Sequence, residues 1–321
     1  MSYNMILDGG GTKTLAILFD ENMNLLSTGK SGGMNTNFET MEVVRAHLTE
    51  CIDTCLQGHP VDELDRFFIS GPGPAQEAEK ILRSRVRLNR DRESLSEGTN
   101  GVLAGLCADY GISVLAGTGS RIDFIQNGKQ TFNTGGWGAF IGDEGAGPWI
   151  GQRGVTAAIA YNDGWGPETC LKDMIMKTWE LEKLWGVVPR VFHGRSTRVE
   201  LASLSPVVGQ AARNGDNVAI RIYHEAAEIL AIQCLAMFRN RNLDPTTPVV
   251  ITGGAWKGAP VMFDHFQKLI NEQYPEAPVH RPVFDSIMGG VIMLGLHGRH
   301  ALTKEEIERL RSEYSAFLFS Y

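Results

Sequence analysis

The chain has 321 residues, 43% of them hydrophobic and 21% charged, with a formal net charge of −7. That is enough for one large domain or two ordinary ones, at the composition of a soluble globular protein. The acidic balance argues against a nucleic-acid backbone or an anionic membrane as partner, and no apolar run approaches the roughly 20 residues of a membrane span. The start, "MSYNMILDGG", lacks the basic-then-apolar order of a secretory leader. Five scattered cysteines, Cys51, Cys55, Cys107, Cys170 and Cys234, fit reduced thiols in a cytoplasmic protein. Cys51 and Cys55 sit one helical turn apart, but no second close pair exists to complete a metal site, so buried helix thiols are expected.

In chain order, "YNMILD", "TLAILFD" and "LLSTGK" read as a three-strand meander joined by the polar turns "GGGTK" and "ENMN". A helix is expected from about Glu39 to Leu56, then a strand "RFFIS" running into "GPGP", then a helix to about Arg85. A short strand ends at Leu95, a helix covers Asn100 to Asp109, and "ISVLAGTGS" with "RIDFIQNGK" reads as a second hairpin. From Asp143 to about Arg241 the pattern is largely helical, its last and longest segment starting near Asp216. A strand "PVVITGG" and the helices "MFDHFQKLINEQY", "SIMGGVIMLGLHGRH" and "TKEEIERLRSEYSAF" complete the chain. A meander followed by βα units, then a similar strand set with helical insertions, is an α/β architecture with two related halves. The expected domains are 1–114 and 115–321, with the final helix able to pack back on the first.

Several strands end in glycine-rich turns: Asp8-Gly9-Gly10-Gly11-Thr12-Lys13-Thr14, Ala116-Gly117-Thr118-Gly119-Ser120 and Thr252-Gly253-Gly254-Ala255. Glycine lets backbone N–H groups approach an anion, and Thr or Ser hydroxyls add donors. One such turn is most simply a tight turn; three, with an acid, a lysine and hydroxyls interleaved, suit a polyphosphate. Asp8 is placed to hold a phosphate-bound Mg²⁺ directly or through water. No GxxxxGK[ST] is present, and neither "GPGPAQ" nor "GTGSRI" completes a GxGxxG. A fourth stretch, "TGGWGAFIGDEGAGPWIG", sets Trp137, Trp149, Asp143 and Glu144 among glycines. An aromatic platform beside carboxylates suits a sugar ring; the plainer alternative is a loop leading into a helix whose start the two acids favour.

These loops in this order resemble the acetate kinase, sugar kinase, Hsp70 and actin superfamily, and more narrowly the BadF/BadG/BcrA/BcrD ATPase family with its N-acetylglucosamine kinase members. The resemblance is carried by "DGGGTKT", "LAGTGS", "GGWGAFIGDEGAGPWIG" and "VVITGGAWKG" and spans essentially the whole chain. It implies two ribonuclease H-like domains, the actin-like ATPase fold, with ATP and Mg²⁺ in the cleft between them. Carried over by position, Asp8 serves the metal. Gly10, Gly11, Thr12, Lys13, Gly117, Thr118 and Gly119 serve the phosphates, and Gly253, Gly254 and Lys257 lie along the nucleotide. Asn35, Gly136, Trp137 and Asp143 are implied sugar contacts. The implied activity is ATP-dependent phosphorylation of an amino sugar such as N-acetylglucosamine. A small-molecule sugar and ATP are then the partners, and a homodimer is expected. The zinc motif of the repressor and kinase (ROK) relatives is absent. No cysteine closely follows "AGTGS", so the iron–sulfur activator ATPases fit less well.

One position departs from that pattern. The resembled kinases carry a proton-accepting Asp before the second phosphate loop, where this chain has "LSEGTNG", with Gly98 at the aligned position and Glu97 one residue earlier. Three readings stay open. Glu97 is the base; or Asp143 is; or transfer is weakened, leaving a sensor or ATPase that binds nucleotide and sugar. Glu97 also suits a helix N-terminus without any catalytic role.

Overall fold

A computed structural model of the chain describes residues 2–37, 39–194 and 196–320. The chain divides into two compact units, one formed by Met1–Gly111, Ile125–Thr131 and Pro282–Phe319, the other by Ile112–Phe124, Phe132–Arg281 and Ser320–Tyr321.

The first unit opens with the meander β1 (Tyr3–Gly9), β2 (Thr14–Asp20) and β3 (Leu25–Ser31), antiparallel throughout. Helix α1 (Met41–Gly58) follows, capped by the Thr40 side chain, which accepts from the Val43 N–H. Then come β4 (Glu63–Leu64), β5 (Arg66–Ser70), α2 (Ala75–Arg83), β6 (Arg87–Leu88), β7 (Glu93–Leu95) and α3 (Glu97–Leu106). The sheet order is β3-β2-β1-β5-β7, with β1, β5 and β7 parallel. Alternation along β1 sets its two faces: Met5 and Leu7 join a core with Leu48, Cys51 and Ile52 of α1, while Ile6 joins the opposite core with Phe68 and Leu103.

The second unit repeats the pattern. Strands β8 (Gly111–Ala116), β9 (Ser120–Gln126) and β10 (Lys129–Gly135) lie side by side. A helical block follows: α4 (Gly147–Asn162), α5 (Leu171–Thr178), α6 (Val187–His193), α7 (Thr197–Ser203), α8 (Ser205–Arg213) and α9 (Asn217–Arg241). After it, β11 (Val249–Thr252) pairs parallel with β8, α10 (Pro260–Gln273) packs on α9, and β12 (Val279–His280) pairs parallel with β11. The order β10-β9-β8-β11-β12 matches that of the first sheet, a meander extended by parallel strands. Helices α11 (Gly289–Leu296) and α12 (Lys304–Glu313) belong to the first unit, where Ile292, Leu310 and Tyr314 join Ile6 and Ile17 in its core.

Three local expectations change. Strand β10 was not legible, because "KQTFNTG" is polar and mostly exposed and carries no alternation. Helix α3 begins at Glu97 rather than Asn100, since Ser96 caps it by accepting from the Thr99 N–H at 3.0 Å. Within the stretch expected to be largely helical from Asp143 to about Arg241, α5 stops at Thr178, with Glu180 in the left-handed region. Cys51 and Cys55 are buried in α1, and burial pushes their thiols up to about 12 and about 11, which leaves them protonated and inert. None of the described helices is long and apolar enough to cross a membrane.

Candidate functional site

In the first unit the chemistry gathers at the carboxyl ends of the parallel strands. Asp8 of β1 pairs in register with Ser70 of β5, and Ser70 with Leu95 of β7. At the usual strand spacing, Asp8 and the end of β7 are about 10 Å apart along one edge. Two residues on from Leu95 stands Glu97, exposed at the first position of α3, while Gly98 behind it is buried. The aligned position is thus buried and carries no side chain, and the acidic residue beside it is exposed.

Burial pushes the Asp8 carboxyl above the usual carboxylate range. The Ser286 hydroxyl and the Lys13 charge pull it partly back. Ser286 Oγ donates to Asp8 Oδ2 at 2.7 Å from the turn that precedes α11. Beside Asp8 the turn of "GGGTK" is closed by Gly10 N–H on the Lys13 carbonyl and held to the next loop by Met34 N–H on the Gly10 carbonyl, both at 3.0 Å.

The glycines here do different work. A Cβ at Gly9 would meet Met34 at 2.8 Å, whereas one at Gly10 would meet nothing within 4 Å. Gly9 is small for packing, and Gly10 borders open space where a ligand can approach the backbone. Asn35 is buried, and its amide oxygen accepts from Asn37 N–H at 2.9 Å, which orients the side chain.

In the second unit one arginine organises the loops. Arg198 of α7 donates to the Thr118 carbonyl from Nε at 3.0 Å and from Nη2 at 2.7 Å, and its Nη2 lies 3.4 Å from Asp143 Oδ2. Gly147 N–H donates to the Gly117 carbonyl, and Ser120 Oγ to the Glu144 carbonyl, both at 2.8 Å. The turn Gly117–Ser120 and the loop 136–147 are therefore one braced assembly. Gly119 must stay small within it, since a Cβ would sit 2.9 Å from Asp143 Oδ2.

Asp143 is 6% exposed and adopts φ 58°, so its carboxylate is turned into this brace. Trp137 points the other way, 75% exposed. Gly136 has φ 77°, the left-handed region, with Arg121 packed against it.

The third turn follows β11, whose Thr252 pairs with Leu115 of β8. A Cβ at Gly253 would meet the Ala116 carbonyl at 2.4 Å, while one at Gly254 would meet nothing within 4 Å. Buried Trp256 pins the turn by donating from Nε1 to the Val114 carbonyl at 3.0 Å, and Lys257 follows at its edge. Gly254 is thus the counterpart of Gly10, a backbone open to a ligand beside a packed glycine.

Comparison with known proteins decides what these loops belong to. The BadF/BadG/BcrA/BcrD ATPase family model matches residues 7–292. The chain belongs to that family. It is 29% identical over 300 residues to the N-acetylmuramic acid/N-acetylglucosamine kinase of Clostridium acetobutylicum, covering 91% of this chain and 98% of that one. It is 26% identical over 315 residues to the N-acetyl-D-glucosamine kinase of Dictyostelium discoideum, covering 89% and 96%. A solved Chromobacterium violaceum protein assigned as an N-acetylglucosamine kinase superposes with a TM-score of 0.70 at 22% identity, covering 92% of this chain and 99% of that one. The fold is therefore that of the actin-like ATPases and sugar kinases, built from two ribonuclease H-like units.

Within this family member, sequence reasoning missed Ser286, Ser70 and Arg198. Ser70 was reachable in principle, as the last residue of "RFFIS" before a glycine turn. Ser286 and Arg198 carry no local signal, because each reaches its partner only through the tertiary fold.

Proposed function

We propose that the chain transfers the γ-phosphoryl group of ATP to a hydroxyl of an amino sugar, N-acetylglucosamine or a close derivative. The observation that carries this reading is the shared strand edge of the first unit, where half-buried Asp8 and exposed Glu97 stand beside a glycine turn open at Gly10. The family and the kinases named above support it.

Asp8, oriented by the Ser286 hydroxyl and close to Lys13, suits a Mg²⁺ site: a hard oxygen donor whose half-buried carboxylate has no ion-pair partner among the described residues. The metal would supply charge neutralisation of the transferring phosphates. The backbone at Gly10, Gly11 and Thr12 and the Lys13 ammonium suit phosphate oxygens. So do Gly117, Thr118 and Gly119 in the second unit, while Gly253, Gly254 and Lys257 suit the rest of the nucleotide. Asn35, Gly136 and Trp137 are assigned to the sugar.

In the transfer, the sugar hydroxyl oxygen bonds to the γ-phosphorus as the bond to the bridging oxygen breaks, and ADP leaves with that electron pair. The hydroxyl proton goes to the Glu97 carboxylate. Glu97 starts one residue early but its arm is one methylene longer than that of an aspartate, and Gly98 beside it places no side chain in the way. Asp143 is assigned to the brace with Arg198 rather than to proton transfer, because its carboxylate is buried against a guanidinium.

A second reading, a nucleotide- and sugar-binding protein with weakened transfer, is favoured by the buried Gly98 where the family's acid is expected. The test is ATP consumption over a panel of amino sugars for the unaltered chain, Glu97→Gln and Gly98→Asp. Sugar-stimulated ADP release that Glu97→Gln abolishes supports Glu97 as the base. No turnover in the unaltered chain, with turnover gained in Gly98→Asp, sinks the kinase reading and supports a lost base.

A further inference from the structure

Helices α4, α6 and α7 of the second unit surround a recess of about 410 Å³. Trp149 and Val155 of α4 and Val188 and Val191 of α6 line it, and Phe140 and Phe192 stand at its mouth. Phe140 is 85% exposed and Phe192 73%, so large apolar surfaces face water beside an apolar hollow. Such exposure marks a place where something apolar is to be covered. Arg198 is the one charged residue of the lining among the described residues, and its guanidinium is already engaged by the Thr118 carbonyl and Asp143. Gln152, Thr156 and Thr197 are the uncharged polar members of a lining that is otherwise mainly aliphatic and aromatic, so the recess offers chiefly apolar burial.

Its position gives the burial a purpose. Phe140 lies in the same glycine-rich loop as Trp137 and Asp143, and Arg198 braces that loop to Thr118. The hollow thus adjoins the loop assigned to the sugar, taking Ala139 and Phe140 from that loop and Arg198 from its support. A volume of this size is in the range of small-molecule sites, far more than an acetyl group fills.

We propose that the recess receives an apolar substituent of the sugar, either an acyl chain longer than acetyl on its amide nitrogen or an alkyl ether on a ring hydroxyl. This rests on the amino-sugar reading above and narrows its substrate class to hexosamines that carry an apolar arm. The walls supply no carboxylate to recognise an amine, and the one cation is spent within the fold, so chain length rather than charge is what the recess reads.

The experiment is a binding series on the full chain by isothermal titration. One arm compares N-acetyl-, N-propanoyl-, N-butanoyl- and N-hexanoylglucosamine; the other compares N-acetylglucosamine with its 3-O-methyl and 3-O-propyl ethers. The expected result is a dissociation constant that falls about three- to fourfold per methylene in one arm, which also identifies the attachment point. In Val188→Arg, which fills the recess, and in Phe192→Ser, whose exposed side chain leaves folding untouched, that dependence flattens. Affinity that is flat or weakens with length in both arms overturns the proposal, as does a length dependence that survives both substitutions. An oligomer in sedimentation that Val188→Arg splits would assign the face to self-association and overturn it too. Phosphorylation of N-acetylglucosamine with both arms flat removes only the recess. A rising arm with no sugar phosphorylated removes only the kinase reading.

Discussion

Ser286 Oγ donates to Asp8 Oδ2 at 2.7 Å across 278 residues of sequence, which ties the turn before α11 to the end of the first strand. The bond favours the charged carboxylate, against a burial that favours the neutral acid. Asp8→Asn is expected to lower kcat by about 100-fold or more, the scale on which a preorganised charge at a phosphoryl-transfer site acts. Because folding raises the Asp8 pKa, this group's contribution to stability is present at low pH and lost as pH rises through the folded value. At neutral pH Asp8→Asn should therefore raise the melting temperature even as it lowers turnover. Ser286→Ala removes the pull toward ionisation, so the acid limb of kcat/KM should move to higher pH. An unchanged pH profile with unchanged activity would remove Asp8 and Ser286 from the site.

Glu97 and Ser96 separate chemistry from folding within one turn. Glu97 is exposed at the start of α3, so Glu97→Gln should cost the fold no more than the roughly 0.3–1 kcal/mol of a helix-dipole interaction. If it accepts the sugar proton, kcat should fall by about 10² to 10⁴ with sugar affinity nearly unchanged. Ser96→Ala removes the cap on the Thr99 N–H and should destabilise by about 1 kcal/mol. Thermal melts beside steady-state kinetics distinguish the two, and full activity in Glu97→Gln rules it out as base.

How far the sequence could be read follows from where the information sits. The strand-end turns announce themselves through runs such as Asp8–Thr14, because backbone approach to an anion needs glycine locally, and the meanders follow from alternation in "YNMILD" and "TLAILFD". Strand β10 follows no such rule; its polar residues are placed by their neighbour β9 rather than by burial. The start of α3 was misread by three residues because "SEGT" lacks apolar periodicity, although Ser96 is a good cap on inspection. Ser286 and Arg198 were invisible, since a hydroxyl or guanidinium reaching across the fold leaves no mark at its own position. Asp143 was legible as a special residue but not in its surroundings, which Arg198 defines.

The glycines divide into those that make room for the protein and those that make room for a ligand. Gly71 has φ 102°, and a Cβ there would lie 1.8 Å from the Gly9 carbonyl oxygen, so Gly71→Ala must shift backbone and should destabilise the first unit by several kcal/mol, on the order of 3. Gly10 and Gly254 border open space. Gly10→Ala and Gly254→Ala should leave the melting temperature within about 2 °C, the span of a surface substitution. Both should still weaken nucleotide binding by about tenfold or more, because a methyl group intrudes where backbone is to meet ligand. Titration with a nonhydrolysable ATP analogue checks this, and unimpaired binding in both would show that neither turn touches nucleotide.

Arg198 and Asp143 should behave as one unit. Arg198→Ala leaves a carboxylate of 6% exposure without its guanidinium and strips two donors from the Thr118 carbonyl. Loss of a partner from a buried ion pair typically costs about 3 kcal/mol, and Arg198→Lys should recover little, since one ammonium cannot reproduce the two-pronged contact with Thr118. Asp143→Asn alone should cost less, and the double substitution less than the sum of the singles, by at least about 1 kcal/mol. The functional consequence follows from the brace: with the Arg198 link between Thr118 and the 136–147 loop gone and only the Gly147–Gly117 and Ser120–Glu144 bonds left to hold the turn to the loop, KM should rise for both ATP and sugar while kcat falls less. If Asp143 were instead the proton acceptor, Asp143→Asn would lower kcat by orders of magnitude with both KM values intact, so the split between KM and kcat assigns the residue.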